Sequence, residues 1–280
     1  MSARPVTLIT GASSGIGAAL ARVFARNGHD LALVARRQDR LETLADEIEA
    51  TGAKRRPLVI VADLAKADAV NKIRKALAVH RAEPQYVINN VGFGIAGPAA
   101  KRDLGEQLAM IDVNMRAVTA LSLAFLPSLE RHRGGILNVG SMAGFLPGPG
   151  MAVYYASKAY VRSLSDALHR EMKKRGVRVT NLAPGPVPTE FGARAGIRSG
   201  TAPEILTQSA EHVAELGYRG LMEGRALVVP GLINRLAIAL IRFVPRGLLL
   251  AAIDAKQSQR QSQRQPQRQS RAGPSKGRKA

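Results

Sequence analysis

The sequence predicts an α/β protein in which a doubly wound parallel sheet of about seven strands carries helices on both faces. Short runs rich in Val, Ile and Leu alternate along the chain with longer stretches of helical periodicity. Each apolar run is followed at once by a turn signal. Continuous apolar strands that alternate with helices are typical of a parallel sheet joined by right-handed crossovers and covered on both faces.

The elements follow in a regular order. After the first strand, LARVFARNG has helical spacing and ends at Gly28, and after the second strand RLETLADEIEATG ends at Gly52. The predicted strands are VTLIT (6–10), DLALVA (30–35), PLVIVADL (57–64), QYVINNVG (85–92), GGILNVGS (134–141), VRVTNLAPG (177–185) and ALVVPG (226–231).

Length and charge predict a single domain over residues 1–255 and a basic tail over residues 256–280. Eight Lys and Arg and no acid lie from Lys256 onward; without them the 41 basic residues become 33 against 21 acidic, so the domain carries +12 of the total +20. The tail is rich in Gln and Arg and has no apolar cluster, so we expect it to be disordered. We do not expect nucleic acid as a partner, because no nucleic-acid module and few aromatic side chains for stacking are present.

Other classes are excluded by composition. The chain has no cysteine, which excludes disulfides and thiolate metal sites, and we predict no metal. The N-terminal segment has no apolar region long enough for a signal peptide, and no run approaches the ~20 apolar residues of a membrane span. We expect a cytoplasmic protein.

A glycine-rich turn, TGASSGIG (10–17), follows the first predicted strand and opens the first predicted helix. Ligands of doubly wound sheets bind outside the carboxyl ends of the strands. Glycines let backbone N–H groups approach a pyrophosphate, and the helix that begins near Gly15 directs its positive end to the anion. The position of the turn favours nucleotide binding over a purely steric role.

Two arginines follow the second predicted strand, where sheets that bind NAD usually carry an acid. The segment reads VARRQDR, which places Arg36 and Arg37 there and Asp39 shortly after. Guanidinium groups form charge-assisted, bidentate bonds with phosphate. We therefore predict NADP(H) as the cofactor; a solvated basic loop or recruitment of Asp39 are the alternatives.

Three of the five tyrosines surround one lysine in VYYASKAY (153–160), which starts a long predicted helix. At about 100° per residue, Tyr154 and Tyr155 lie near the face of Lys158, whereas Tyr160 points away and is expected to pack. A nearby positive charge favours the phenolate and lowers the pKa of a tyrosine from about 10. Helical geometry leaves both Tyr154 and Tyr155 as candidates for proton transfer.

Together these segments resemble the short-chain dehydrogenase/reductase family from Val6 to about Gly231. The resemblance rests on motifs that occur in order and at suitable intervals: TGASSGIG (10–17), ADL (62–64), NNVG (89–92), Asn114, Ser141, YYASK (154–158) and PGPVPT (184–189). The Tyr-x-x-x-Lys signature of that family fits only Tyr154 with Lys158. The resemblance implies a Rossmann-type fold, a homodimer or homotetramer, and hydride transfer between NADP(H) and a carbonyl or secondary alcohol. The alternative is a non-catalytic dinucleotide-binding sensor or scaffold that associates with a membrane or nucleic acid through its basic C-terminus.

The same resemblance implies roles for individual residues. Tyr154 would exchange a proton with the substrate oxygen, and Lys158 would lower the pKa of Tyr154 and bind the nicotinamide ribose. Ser141 would hydrogen-bond the substrate, and Asn114 would anchor a water chain. The dinucleotide contacts, besides Arg36 and Arg37, would be Gly11, Ser13, Ser14, Gly15, Ile16, Gly17, Asp63, Leu64, Asn90, Gly92, Tyr154, Lys158, Pro184, Gly185, Val187 and Thr189. Val91 departs from the alanine of the family motif, and we expect the site to accommodate it.

The substrate region is predicted from the chain that follows PGPVPT. This chain is glycine-rich at first, and we expect a substrate loop over about residues 186–224. Phe93, Phe145 and Met151 fall in loops expected to face the nicotinamide and, with Ser141, are the predicted substrate contacts of an apolar pocket.

A strongly apolar segment, over about residues 232–254, follows the last predicted strand. We predict a helix that caps the substrate cleft or forms a subunit interface. The alternative is contact with a membrane surface, helped by the basic tail.

Overall fold

A computed structural model describes residues 3–197 and 203–250, apart from residues 242, 246, 248 and 249. The described chain contains a seven-stranded sheet in the order β3-β2-β1-β4-β5-β6-β7, and every neighbouring pair is parallel. The predicted fold class is confirmed. The strands are β1 (Arg4–Thr10), β2 (Leu31–Ala35), β3 (Leu58–Val61), β4 (Ala82–Asn89), β5 (Gly135–Val139), β6 (Arg178–Leu182) and β7 (Leu227–Val228).

Helices cover both faces of the sheet. One apolar core lies under the first, second and ninth helices, and a second core lies under the third, fifth, sixth and seventh. Because the strands are buried on both faces, they read as continuous apolar runs. The helices are α1 (Gly15–Arg26), α2 (Gln38–Ala50), α3 (Ala69–Val79), α4 (Leu104–Ile111), α5 (Ala117–Ala124), α6 (Leu126–Arg131), α7 (Ala152–Lys173), α8 (Glu190–Arg194), α9 (Ala210–Met222) and α10 (Leu232–Ile241).

The strand order reverses between β1 and β4. β2 and β3 extend the sheet on one side of β1, and β4 to β7 extend it on the other. The connections that leave the carboxyl ends of β1 and β4 therefore diverge and leave a crevice between them. This crevice lies between the glycine turn after β1 and the segment that begins at Asn90.

The predicted substrate loop is too long at its C-terminal end. Within the predicted 186–224 segment, the structure has α9, whose Val213, Ala214 and Leu221 are buried beside α1. Val213, Gly217 and Leu221 recur at helical spacing, and this pattern indicates a helix after the glycine-rich stretch. The irregular part ends before α9 begins at Ala210.

The C-terminal segment contains a helix at its start. In α10 the buried Asn234 donates hydrogen bonds to the carbonyls of Pro230 and Leu206, at 2.9 and 3.3 Å. The bond to Leu206 fixes α10 to the chain between α8 and α9, and the bond to Pro230 fixes it to the residues just after β7. The predicted basic tail, 256–280, lies outside the described residues. Among the described helices, none combines the length and the apolar character that a membrane crossing requires.

Candidate active site

The glycine turn after β1 has a backbone that side chains would obstruct. Gly11 and Gly15 have positive φ angles of 65° and 55°, in the region that L-residues rarely adopt. A Cβ atom at Gly17 would lie 2.2 Å from the carbonyl oxygen of Gly11. The side chain of Ser14 does not cap α1, and the first turn of α1 contains no acid. The backbone N–H groups at this end of α1 thus form a cradle that fits a pyrophosphate.

Asn90 joins the end of β4 to this turn. Its Nδ2 atom donates to the carbonyls of Thr10 and Gly11 at 3.0 and 3.1 Å, and its backbone N–H donates to Oγ1 of Thr10 at 3.1 Å. The two walls of the crevice are therefore held together beneath the cofactor site. Val91 is partly buried against the core below, and the family's alanine position is filled without displacing this network.

Arg37 lies over the glycine turn, at the carboxyl end of β2. Its Nη2 atom donates to the hydroxyls of Ser13 and Ser14 at 3.1 Å each, and its Nη1 atom donates to Glu190 at 2.9 Å. The side chain of Arg36 leaves the same strand end and is exposed. The structure thus brings one of the two predicted phosphate ligands to the turn.

Several other predicted cofactor contacts serve the surrounding structure. Asp63 accepts a hydrogen bond from the backbone of Ala65, and the carbonyl of Pro184 accepts one from Met142. A Cβ atom at Gly185 would lie 2.7 Å from Nδ2 of Asn234 in α10. The remaining predicted contacts at this edge pack on a core or cap a helix: Ile16, Leu64, Val187 and Thr189.

Tyr154 and Lys158 lie on the first turns of α7, and both are buried. The Nζ atom of Lys158 donates to the carbonyl of Val139 at 2.8 Å and lies 5.9 Å from the centre of the Tyr154 ring. A Cβ atom at Gly92 would lie 3.4 Å from this Nζ atom. The pair is therefore on one face of α7, beside the crevice.

The other two tyrosines of the motif have different partners, although the ring of Tyr155 also meets that of Tyr154 edge-on, with ring centres 6.0 Å apart. Tyr155 packs on Gly148, where a Cβ atom would come within 2.2 Å of its ring. The hydroxyl of Tyr160 lies 2.7 Å from Oγ1 of Thr119 in α5. Tyr154 is thus the tyrosine that shares the crevice with Lys158.

Burial is the largest influence on the pKa values of Tyr154 and Lys158. It raises the pKa of Tyr154 to about 12, against a hydrogen bond with Ser141 that lowers it, and it lowers the pKa of Lys158 to about 8. The net shift of the Tyr154 pKa is therefore upward, opposite to the lowering that the resemblance implies, because burial outweighs the other effects. The physical reason is that removing both groups from water disfavours both charged forms.

Asn114 is buried and links the chain that follows β4 to α7. Its Nδ2 atom donates to the Phe93 carbonyl at 2.9 Å and to Oγ of Ser157 at 3.0 Å, while its Oδ1 atom accepts from the Phe93 N–H at 3.1 Å. Oγ of Ser157 in turn donates to the carbonyl of Tyr154 at 2.7 Å. Sequence analysis missed Ser157; its place one position before Lys158 is the signal that could have found it.

Apolar side chains surround the Tyr154 ring. Phe93 and Met151 pack there as predicted contacts, and Phe191 from α8 joins them with its ring centre 5.3 Å from that of Tyr154. Phe145 does not join this cluster, because its ring lies under the guanidinium of Arg162 at 4.0 Å. The apolar cluster around Tyr154 thus lacks the predicted Phe145 and includes Phe191, which sequence analysis missed.

The reversed strand order, the glycine cradle and the buried Tyr154–Lys158 pair define a class: Rossmann-type oxidoreductases that use a dinucleotide. A sequence model described as short chain dehydrogenase matches residues 5–200. The chain belongs to the short-chain dehydrogenase/reductase family, whose members act on CH–OH and carbonyl groups.

Curated relatives share much of the chain. Sulfoacetaldehyde reductase 2 of Chromohalobacter salexigens is 37% identical over 219 residues, which cover 75% of this chain and 86% of the relative. The NADP-dependent 3-hydroxy acid dehydrogenase of Salmonella typhi is 35% identical over 191 residues, which cover 67% of this chain and 75% of the relative.

Solved structures share the fold over nearly the whole chain. A short-chain dehydrogenase from Sphingobium yanoikuyae in complex with NADPH is 32% identical, with a TM-score of 0.74 over 96% of this chain and 98% of that one. A bulky-bulky ketone specific alcohol dehydrogenase from Comamonas testosteroni is 28% identical, with a TM-score of 0.70 over 97% and 98%.

Proposed function

We propose that the protein is an NADP(H)-dependent oxidoreductase that interconverts the carbonyl and secondary alcohol of an apolar substrate, with Tyr154 as general acid and base. One observation carries the proposal: the buried phenol of Tyr154 has Lys158 one helical turn later, with the ammonium nitrogen 5.9 Å from the ring centre, at the edge of the dinucleotide crevice. A phenol in this place can pass a proton to a substrate oxygen.

NADP(H) is the cofactor. Arg37 supplies a guanidinium beside the glycine turn, suited to a 2′-phosphate. The relative from Sphingobium yanoikuyae has NADPH bound, and the Salmonella typhi relative is NADP-dependent. The cradle formed by Gly11, Gly15 and Gly17 would hold the pyrophosphate, and Gly92 leaves room beside Lys158 for the ribose.

The side chains of the site divide the work of proton transfer. The bound nicotinamide supplies or accepts the hydride. Because the pKa of Tyr154 is raised to about 12, its hydroxyl is protonated at neutral pH and can donate to a carbonyl oxygen. The hydroxyl of Ser141 holds the same oxygen in place, and Lys158, with a pKa of about 8, is mainly cationic at neutral pH and stabilises the developing phenolate. Asn114 keeps the Phe93 backbone and α7 in register.

The lining of the pocket favours an apolar substrate. Phe93, Met151 and Phe191 pack around Tyr154, and α10 contacts the Met142–Phe145 turn, which agrees with the predicted helix that caps the substrate cleft. The relative from Comamonas testosteroni is specific for bulky ketones, which agrees with a carbonyl flanked by apolar groups.

The outer face of α10 is apolar and exposed. Leu232, Leu236 and Leu240 are 68%, 53% and 63% exposed. We infer that this face packs against a second subunit, as family members commonly form oligomers; contact with a membrane surface remains the alternative, and a cytoplasmic location remains our prediction. The mass of the particle in solution for the wild type and for L236Q/L240Q tests the subunit contact, and co-sedimentation of the wild type with anionic vesicles tests the alternative.

A screen of aldehydes and ketones, followed by NADPH absorbance, tests the proposed activity. We expect turnover of apolar carbonyl compounds by the wild type and its loss in Y154F. The competing function, a non-catalytic dinucleotide sensor, predicts that NADPH binds but that no compound is turned over by either protein.

A further inference from the structure

Glu190, the first residue of α8, directs its carboxylate towards three arginines. Its Oε2 atom lies 2.9 Å from Nη1 of Arg37 and 3.3 Å from Nη2 of Arg194, and its Oε1 atom lies 3.9 Å from Nη1 of Arg40. Desolvation raises the pKa of Glu190, but the three guanidiniums together lower it below its ordinary value. The carboxylate is therefore ionised at neutral pH.

Arg37 connects this carboxylate to the cofactor cradle. One Nη atom of Arg37 bonds Glu190, and the other bonds the hydroxyls of Ser13 and Ser14 in the glycine turn. The side chains of Arg37 and Glu190 are 29% and 39% exposed, so a ligand in the crevice can reach both. A carboxylate of the chain itself thus occupies one side of the guanidinium that suits a 2′-phosphate.

We propose that Glu190 is a specificity-determining residue of the dinucleotide site: an internal anion that competes with the 2′-phosphate for Arg37. The inference rests on the proposed use of NADP(H). A phosphate that accepts hydrogen bonds from the N–H groups of Arg37 must share them with the carboxylate of Glu190 or displace it. Two anions bound to one guanidinium also repel each other. A ribose without the phosphate leaves the Arg37–Glu190 pair intact. Glu190 therefore weakens the binding of the phosphorylated dinucleotide selectively.

Equilibrium binding of fragments tests this without any turnover. Wild type, E190Q and E204Q are titrated by calorimetry with 2′,5′-ADP and with 5′-AMP, which differ only in the 2′-phosphate, and then with NADP⁺ and NAD⁺. E204Q is the matched control: Glu204 lies exposed between α8 and α9, forms no ion pair among the described residues, and its replacement changes the net charge equally. Thermal melting of each variant checks that the fold is kept.

We expect E190Q to bind 2′,5′-ADP and NADP⁺ about three to ten times more tightly than the wild type, a modest change because solvent screens the partly exposed pair. The affinities for 5′-AMP and NAD⁺ stay within about twofold, and E204Q changes none of them by more. If E190Q binds 2′,5′-ADP equally or more weakly than the wild type, Glu190 does not compete, and a weaker affinity shows that it positions Arg37 instead. If the wild type itself does not prefer 2′,5′-ADP over 5′-AMP, the proposed cofactor fails, and the inference fails with it.

Discussion

The ammonium nitrogen of Lys158 lies 5.9 Å from the centre of the Tyr154 ring and is held by the carbonyl of Val139 at 2.8 Å. The two groups are close enough to interact and are both shielded from water, but no direct hydrogen bond to the phenol is needed to place the ammonium. Burial raises the pKa of this phenol to about 12, so it is protonated at neutral pH, the form in which it can donate a proton to a carbonyl oxygen.

Replacement of Tyr154 separates chemistry from binding. We expect Y154F to lower kcat by about 10²–10⁴-fold, the usual contribution of a general acid, because the ring still packs and only the proton donor is lost. NADPH affinity, measured by its fluorescence, stays within about threefold of the wild type. Y155F is the matched comparison and retains most of the turnover, since Tyr155 packs on Gly148. The reverse pattern would assign the proton transfer to Tyr155.

Burial of Lys158 makes the free energy of unfolding change with pH in the alkaline range. The pKa of Lys158 is about 8 in the folded protein and 10.5 unfolded, so the unfolded chain binds more protons between these values and the free energy of unfolding rises with pH through this window. The full change amounts to roughly 3 kcal/mol. Urea unfolding of wild type and K158M between pH 7.5 and 10 measures it as a difference, in which the other titrating groups cancel. Parallel pH profiles for the two proteins would show that Lys158 is not destabilised by burial.

The fold could be predicted from the sequence because each strand is a continuous apolar run bounded by a turn. All seven predicted strands occur, with bounds that shift by a few residues, as from 57–64 to Leu58–Val61. The predicted loop extends into α9 because the chain from Gly192 to Gly200 is glycine-rich, although Val213, Gly217 and Leu221 face the sheet at helical spacing.

The candidate site was predictable where a motif fixes local geometry, and less so where partners meet through folding. Tyr154 and Lys158 are adjacent on one helix, so their spacing in sequence determines their proximity. The contacts of Phe191 with Tyr154 and of Glu190 with Arg37 join residues far apart in the chain. Nothing in the spacing of such residues indicates that they meet, and Phe145 shows the opposite case, a plausible loop residue that pairs with Arg162 instead.

Replacement of Gly17 by alanine tests whether the glycine turn binds the cofactor. In G17A the Cβ atom would lie 2.2 Å from the Gly11 carbonyl, which is backbone and cannot move aside cheaply. We expect a clearly lower melting temperature and at least a tenfold loss of NADPH affinity. G192A is the matched control, because among the described residues a Cβ atom there meets only the Ile197 carbonyl, at 3.9 Å, an ordinary contact. Unchanged NADPH binding by a folded G17A protein would remove the cradle from the cofactor site.

Replacement of Phe191 tests whether the apolar cluster around Tyr154 contacts the substrate. The centre of the Phe191 ring lies 5.3 Å from that of Tyr154, and the ring is partly buried in the same apolar cluster. Truncation in F191A removes apolar contact worth about 1–2 kcal/mol, so we expect KM for an apolar ketone to rise about five- to thirtyfold with a smaller change in kcat. F145A removes an equal ring from beneath Arg162, outside the cluster, and should leave KM within about twofold. Steady-state kinetics of both variants against one apolar and one small polar carbonyl compound decide the point, because a pocket role for Phe191 affects the apolar compound more. An equal loss for both compounds would mean that Phe191 supports Tyr154 and does not contact the substrate.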